Sequence, residues 1–177
     1  MARMREQSIK CGARILTETV DRVDLGRGGS RTAPTFKVFV GTKSIETKSI
    51  IIATGATAKR LGIPGEERLW QKGISACAVC DGGLPIFRNK ILVVIGGGDT
   101  ACEEALYLTK FAGKVILLVR RDVLRASKAM QERVRSDKKI EIKWNTNPLE
   151  ALGGKSLTGI KIRSNKTAEE SVVEAGG

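Results

Sequence analysis

Ile91-Leu92-Val93-Val94-Ile95-Gly96-Gly97-Gly98-Asp99-Thr100-Ala101 is the stretch that decides the fold. Its five leading apolar residues read as a buried strand. A glycine-rich turn follows, and then a helical pattern over Asp99–Phe111 in which Ala101, Ala105 and Leu108 share one face with Ala112 just beyond it. Gly113 reads as the stop of that helix. Lys114–Val119 reads as the next strand, Ser127 as the cap of a helix running through Arg135, and Ile140–Trp144 as a third strand. A β-α-β-α-β rhythm predicts an α/β fold with a parallel sheet and right-handed crossovers. Ala151–Leu152 and Leu157–Arg163 read as closing strands. Val172–Val173 is one more apolar run before Gly176-Gly177.

The turn has the pattern Gly96-x-Gly98-x-x-Ala101, placed directly after a strand and before a helix. In that context Gly96 permits the tight turn and Gly98 lets the backbone approach a pyrophosphate. Ala101 is small enough for close helix–strand packing. Free N–H groups at the helix start face the anion. The fold expected is therefore a Rossmann-like, doubly wound dinucleotide domain; the alternative is a glycine-rich turn without a ligand. Where the second strand ends, roughly 20 residues past the turn, a site for unphosphorylated ribose wants a carboxylate. This chain has Arg120 and Arg121 there, with Arg125 close behind. Guanidinium groups bind a 2′-phosphate through charge-assisted hydrogen bonds, so the cofactor expected is NADPH rather than NADH. Plain surface charge is the alternative reading of these arginines.

Upstream, Met1–Cys11 reads as the end of a helix stopped by Gly12. Ala13–Leu16, Val20–Leu25 and Phe36–Val40 read as short strands, with Gly26, Gly28, Gly29 and Pro34 marking the turn between the last two. Ser49–Thr54 reads as a buried strand closed by Gly55. This region is β-rich and has no βαβ rhythm. Lys59–Gly73 reads as a linker, with Gly62, Pro64, Gly65 and several charges. The boundary expected lies between residues 58 and 59.

Just before the dinucleotide motif stands Cys77-Ala78-Val79-Cys80-Asp81. Cysteines three apart at a helix start close a small disulfide ring, and a helix start favours the thiolate. Ala78 and Val79 are small and apolar and leave the sulfurs accessible. Asp81 is either a proton donor to the departing thiolate or an N-cap. Cys102, inside the nucleotide-binding helix, reads as core, and Cys11 as a packing residue. A nicotinamide yields a hydride that a disulfide accepts poorly, so an NADPH site beside a dithiol predicts a flavin between them.

Composition removes several classes. There is no histidine among the 177 residues, which excludes histidine acid–base catalysis, Ser-His-Asp triads and histidine-ligated metals. Tetrathiolate zinc would need all four cysteines, and only one pair has ligand spacing, so no metal is expected. The net charge of +12 brings nucleic acid into consideration. One Tyr and four Phe give little aromatic interleaving, and the charges from Lys128 onward read as a solvated helix face, so no nucleic-acid partner is expected. No apolar run reaches bilayer length and the N-terminus is polar, so neither a membrane nor secretion is expected.

The chain resembles the low-molecular-weight NADPH-dependent thioredoxin reductases of bacteria and plants. The resemblance covers nearly the whole chain. It rests on Ile52–Ala56, Gly73–Gly82, Gly96–Ala101 with Glu103-Glu104-Ala105, and Arg120-Arg121-Asp122 through Arg125-Ala126. It implies a partial FAD-binding domain over 1–58 and, over 59–177, an NADPH domain that carries the dithiol. It implies that Cys80 faces the flavin, that Cys77 attacks thioredoxin disulfide and that Asp81 is the proton donor. Gly98, Asp99 and Thr100 become pyrophosphate contacts, and Arg120, Arg121 and Arg125 the 2′-phosphate clamp. Thr54 and Gly55 line the FAD site, and Val20 contacts its adenine. Two domain orientations, thioredoxin as partner and a homodimeric parent also follow. Family members begin with an FAD-binding glycine turn and end with a Gly-Asp segment. This chain has neither, so the expectation is an internal or truncated fragment that holds NADPH but not FAD tightly. A cytoplasmic location is expected, with plastid or mitochondrion as the alternative. The competing readings are a non-catalytic NADPH-binding module and a related flavoprotein such as an alkyl hydroperoxide reductase flavin subunit.

Overall fold

A computed structural model describes residues 2–26 and 36–177. Gly28, Gly29 and Pro34, read as turn residues, lie outside the described residues. The chain divides into two compact units, Met1–Ala56 and Thr57–Gly177.

The first unit opens with helix α1 (Ala2–Lys10). Gly12 ends it, with φ 89° and its N–H on Ile9 O. A three-stranded antiparallel sheet follows, built from β1 (Arg22–Asp24), β2 (Phe36–Val40) and β3 (Lys43–Thr47) in that order. Lys37 sits opposite Glu46 and pairs with it at 2.9 Å. Three expectations change. Ala13–Leu16 forms no strand. Lys43–Thr47 does form one, although its polar, charged sequence carries little strand signal. Ser49–Thr54 is irregular and open, with Ile51 92% exposed. Apolarity alone does not make a strand. The run needs a neighbour to hydrogen-bond, and among the described residues none pairs with it.

The second unit begins with α2 (Glu66–Leu69), α3 (Ala78–Asp81) and a short 3-10 turn at Pro85–Phe87. Next come β4 (Ile91–Ile95), α4 (Asp99–Leu108), β5 (Lys114–Val119), α5 (Lys128–Ser136) and β6 (Ile140–Trp144). β4, β5 and β6 pair in parallel, with β5 in the centre. Then β7 (Thr146–Gly153), β8 (Leu157–Ser164) and β9 (Glu170–Glu174) form an antiparallel sheet. Strand β5 is buried on both faces, which explains its unbroken apolar sequence. Val115, Leu117 and Val119 pack with Cys102, Ala105 and Leu108 of α4 and Val134 of α5. Ile116 and Leu118 face the other way, against Ile160 and Ile162 of β8. The parallel sheet is thus sandwiched between helices and an antiparallel sheet.

Helix α4 ends at Leu108, short of Gly113. The Lys139 ammonium donates to Thr109 O at 2.7 Å and Ala112 O at 3.0 Å, satisfying carbonyls that a longer helix would have used. Lys59–Gly73 is not a simple linker. Glu66 is buried, and its carboxylate accepts the N–H groups of Leu61 and Gly62. Leu69 is fully buried against Ala151, Leu157 and Ala175. The terminal glycines lie along β4: Val93 N–H donates to Gly177 O, and Gly176 N–H to Ile91 O.

Candidate dinucleotide and dithiol site

The glycine turn joins β4 to α4. A Cβ added at Gly96, whose φ is 150°, would come within 2.8 Å of the Ala101 Cβ, so strand and helix approach closely there. Gly98 is extended at the N-cap of α4, and a Cβ there would meet nothing within 4 Å. The space beside it is what a close-approaching ligand needs.

Two cavities of the second unit meet at this turn. One, of about 520 Å³, runs from Gly98 and Thr100 to Ser75, Cys77 and Asp81. The other, of about 340 Å³, is lined by Arg120 and Arg121 at the end of β5 and by Thr146 and Pro148 of β7. Gly96, Gly97 and Arg125 border both. All three arginines are exposed, and among the described residues no carboxylate forms an ion pair with them. Their charge is available to an anion. Thr146 and Pro148 are contributions that the sequence did not single out, because they come from the antiparallel sheet.

The arginine loop is tied down by its backbone. The N–H groups of Arg125 and Ala126 both donate to Gly97 O, at 2.6 and 3.1 Å. Arg121 O accepts from Asn145 N–H at 3.1 Å, and Arg120 O from Asn165 Nδ2 at 2.8 Å. Asp99 and Thr100 are exposed at the start of α4. Ser127 stands at the N-cap of α5 as expected, but its hydroxyl caps nothing in that helix.

Cys77 and Cys80 form a disulfide, with Cα atoms 5.3 Å apart. Cys77 is the N-cap of α3, and its Sγ accepts the Cys80 N–H at 3.2 Å. Cys80 is exposed and Cys77 half-buried. Asp81 is the last residue of α3, which removes the N-cap alternative for it. Its carboxylate takes a hydrogen bond from the Ser75 hydroxyl at 2.5 Å, and that hydroxyl accepts the Cys77 N–H at 3.0 Å. Ser75 therefore ties the acid to the dithiol. Only the fold of the turn shows this, since nothing in the Ser75–Asp81 spacing signals it. Cys102 is fully buried in α4, and desolvation, aided by the charge of Asp99, pushes its thiol up. Cys11 is a correction: it lies exposed just past α1 rather than packed.

Val20, Thr54 and Gly55 lie in the first unit. All three are exposed on irregular backbone. Among the described residues that unit has only an antiparallel sheet and one helix, with no strand–glycine turn–helix cradle for a flavin pyrophosphate. Its residues do not by themselves fit a flavin. The glycine turn and arginines of the second unit do fit a 2′-phosphorylated dinucleotide. No helix among the described residues is long and apolar enough to cross a membrane.

Comparison with known proteins identifies relatives along the whole chain. A thioredoxin reductase of Dictyostelium discoideum is 56% identical over all of this chain and 54% of its own length. A mitochondrial thioredoxin reductase 2 of Saccharomyces cerevisiae is 52% identical, again over the whole chain and 52% of its own length. The structure of thioredoxin reductase from Giardia duodenalis superposes with a TM-score of 0.84 at 42% identity, covering 99% of this chain and 55% of that one. The chain spans about half the length of the curated relatives it matches. The family profile described as pyridine nucleotide-disulphide oxidoreductase matches residues 5–177, and the chain belongs to that family.

Proposed function

We propose that this chain carries the NADPH-binding and dithiol centre of a thioredoxin-disulfide reductase. In this reading residues 59–177 are the NADPH domain and residues 1–58 part of the FAD domain. The observation that carries it is the pair of cavities meeting at one glycine turn, with Arg120 and Arg121 lining one and Cys77, disulfide-bonded to Cys80, lining the other. Arg120, Arg121 and Arg125 hold the 2′-phosphate. The turn from Gly96 to Ala101 seats the pyrophosphate, and the larger cavity points the nicotinamide end toward the sulfurs. Bound FAD would supply the conversion of a hydride into dithiol reduction.

The dithiol steps are ordinary exchange. Two electrons and two protons open the Cys77–Cys80 bond to two thiols. The Cys77 thiolate attacks a sulfur of thioredoxin disulfide and forms a mixed disulfide, expelling the other thioredoxin sulfur as a thiolate. Asp81, held by Ser75, takes up the proton that Cys77 loses and delivers it to the departing thioredoxin thiolate; the proton of Cys80 passes to the second thioredoxin sulfur in the next step. Cys80 then attacks Cys77, releases reduced thioredoxin and restores the intramolecular bond. In this reading the protein works as a homodimer in a reducing compartment, cytoplasmic or organellar.

The thioredoxin step can be tested on this chain directly. The chain is reduced with dithiothreitol, freed of reductant without air, and mixed with oxidised thioredoxin. One thioredoxin disulfide should be reduced per chain. Cys77→Ser should transfer nothing, and Cys80→Ser should accumulate the mixed disulfide through Cys77. A dithiol chain that leaves thioredoxin oxidised contradicts the reading and favours a non-catalytic NADPH-binding module.

A further inference from the structure

Asp99 is the one charged group of the glycine turn whose sign is wrong for a pyrophosphate seat, since a carboxylate at its rim repels the ligand. Its charge is committed elsewhere. Asp99 Oδ1 accepts the N–H of Ser127 at 2.8 Å, across 28 residues of sequence. The Ser127 N–H, and its hydroxyl behind it, hold the Asp99 carboxyl below the usual carboxylate range.

Ser127 directly follows Arg125 and Ala126, whose N–H groups both donate to Gly97 O. Three successive N–H groups of the arginine loop are therefore all bound by the glycine turn. Gln131 Nε2 holds the same segment from α5, donating to Ala126 O at 2.9 Å. Arg125 borders both cavities, so the segment fixed in this way presents a guanidinium where the two halves of a dinucleotide meet. An unanchored loop would have to be ordered on binding, at an entropic cost that a fixed loop avoids.

We propose that Asp99 is a positioning residue: its carboxylate latches the Arg125–Ser127 segment onto the glycine turn and so sets the preference for a 2′-phosphorylated dinucleotide. This rests on the NADPH reading above and revises the part of it that made Asp99 a pyrophosphate contact. Latch and ligand contact predict different outcomes. A pyrophosphate contact serves NADPH and NADH alike, because both carry that group. A latch for the arginine loop serves the 2′-phosphate alone.

The test is calorimetric titration of the chain with NADPH and with NADH, for the unsubstituted protein, Asp99→Ala and Asp99→Asn. Asp99→Ala should weaken NADPH about tenfold and leave NADH within about twofold. Asp99→Asn keeps an oxygen that accepts the Ser127 N–H, so it should restore the NADPH preference. Ser127→Pro removes the N–H at a φ of −57°, which the proline ring accommodates, and should reproduce the Asp99→Ala pattern. Equal losses for both dinucleotides in Asp99→Ala, or no loss for either, overturn the proposal. So does an Asp99→Asn protein that behaves like Asp99→Ala. If the unsubstituted chain binds NADPH and NADH alike, the 2′-phosphate reading falls and the latch falls with it.

Discussion

A side chain added at Gly98 would project into the open space beside α4, whereas one at Gly96 would press on Ala101. Gly98 has φ −94°, a backbone that valine adopts without strain. Gly98→Val should therefore cost the chain no more than about 1 kcal/mol, the loss of a better N-cap, while abolishing calorimetric binding of NADPH. Loss of the fold in that variant would mean that Gly98 is needed for folding rather than for the ligand. Arg120→Ala with Arg121→Ala should weaken NADPH by tenfold or more and NADH little, given about 1.5–3 kcal/mol for each hydrogen bond to a charged group. Equal losses would remove these arginines from the 2′-phosphate. The placement of the glycines at the β4–α4 turn and of the arginines past the end of β5 was legible in the sequence, because it follows from their register with the strand ends. The bond from Ser75 to Asp81 and that from Asp99 to Ser127 were not, because they join atoms that only the folded turns bring together.

The hairpin between β8 and β9 turns through Ala168, a non-glycine residue at φ 58°. The left-handed conformation costs an alanine about 1 kcal/mol relative to glycine. Ala168→Gly should raise stability by about that amount, read as a higher urea midpoint; a lower midpoint would show that no strain resides there. On the parallel sheet, Glu141 of β6 lies between Lys114 of β5 and Lys143, and their hydrogen bonds hold its carboxyl below the usual range. A depressed carboxylate contributes stability above the ordinary glutamate range, and that contribution is lost as pH falls through its lowered value. Because the pair is partly solvated, Glu141→Gln should cost under about 1 kcal/mol at pH 7. The gap between the two proteins should close in acid, and a gap that persists there would contradict the pairing. The elements that the sequence revealed include β2, β4, α4, β5, α5, β6 and β8, whose apolar pattern is clear and whose ends are marked by turns. Ser49–Thr54 misled because apolarity does not supply a hydrogen-bonding neighbour. Lys59–Gly73 misled in the opposite direction, since its glycines, proline and charges conceal Glu66 and Leu69, which fold into the core. Leu69→Ala should cost about 2–5 kcal/mol by denaturant unfolding, which a true linker would not show.

Across the second unit the helices, parallel sheet and antiparallel sheet border two cavities that meet at the glycine turn: one is lined by arginines that pair with no carboxylate among the described residues, the other by Cys77 of the disulfide. The whole chain carries a net charge of +12, so its field draws any anionic ligand and salt screens that attraction. NADPH carries one phosphate more than NADH, and its affinity should fall more steeply with ionic strength. Net charge alone would favour NADPH only modestly; directed hydrogen bonds from the arginine loop favour it strongly. Calorimetric titration of the unsubstituted chain with the two dinucleotides, at an ionic strength near 0.15 M, separates these cases. One NADPH should bind per chain, at least about tenfold more tightly than NADH, and 2′,5′-ADP should compete with it. Equal affinities, or NADPH binding that 2′,5′-ADP fails to displace, would contradict a phosphate-selective nicotinamide site beside the Cys77–Cys80 pair.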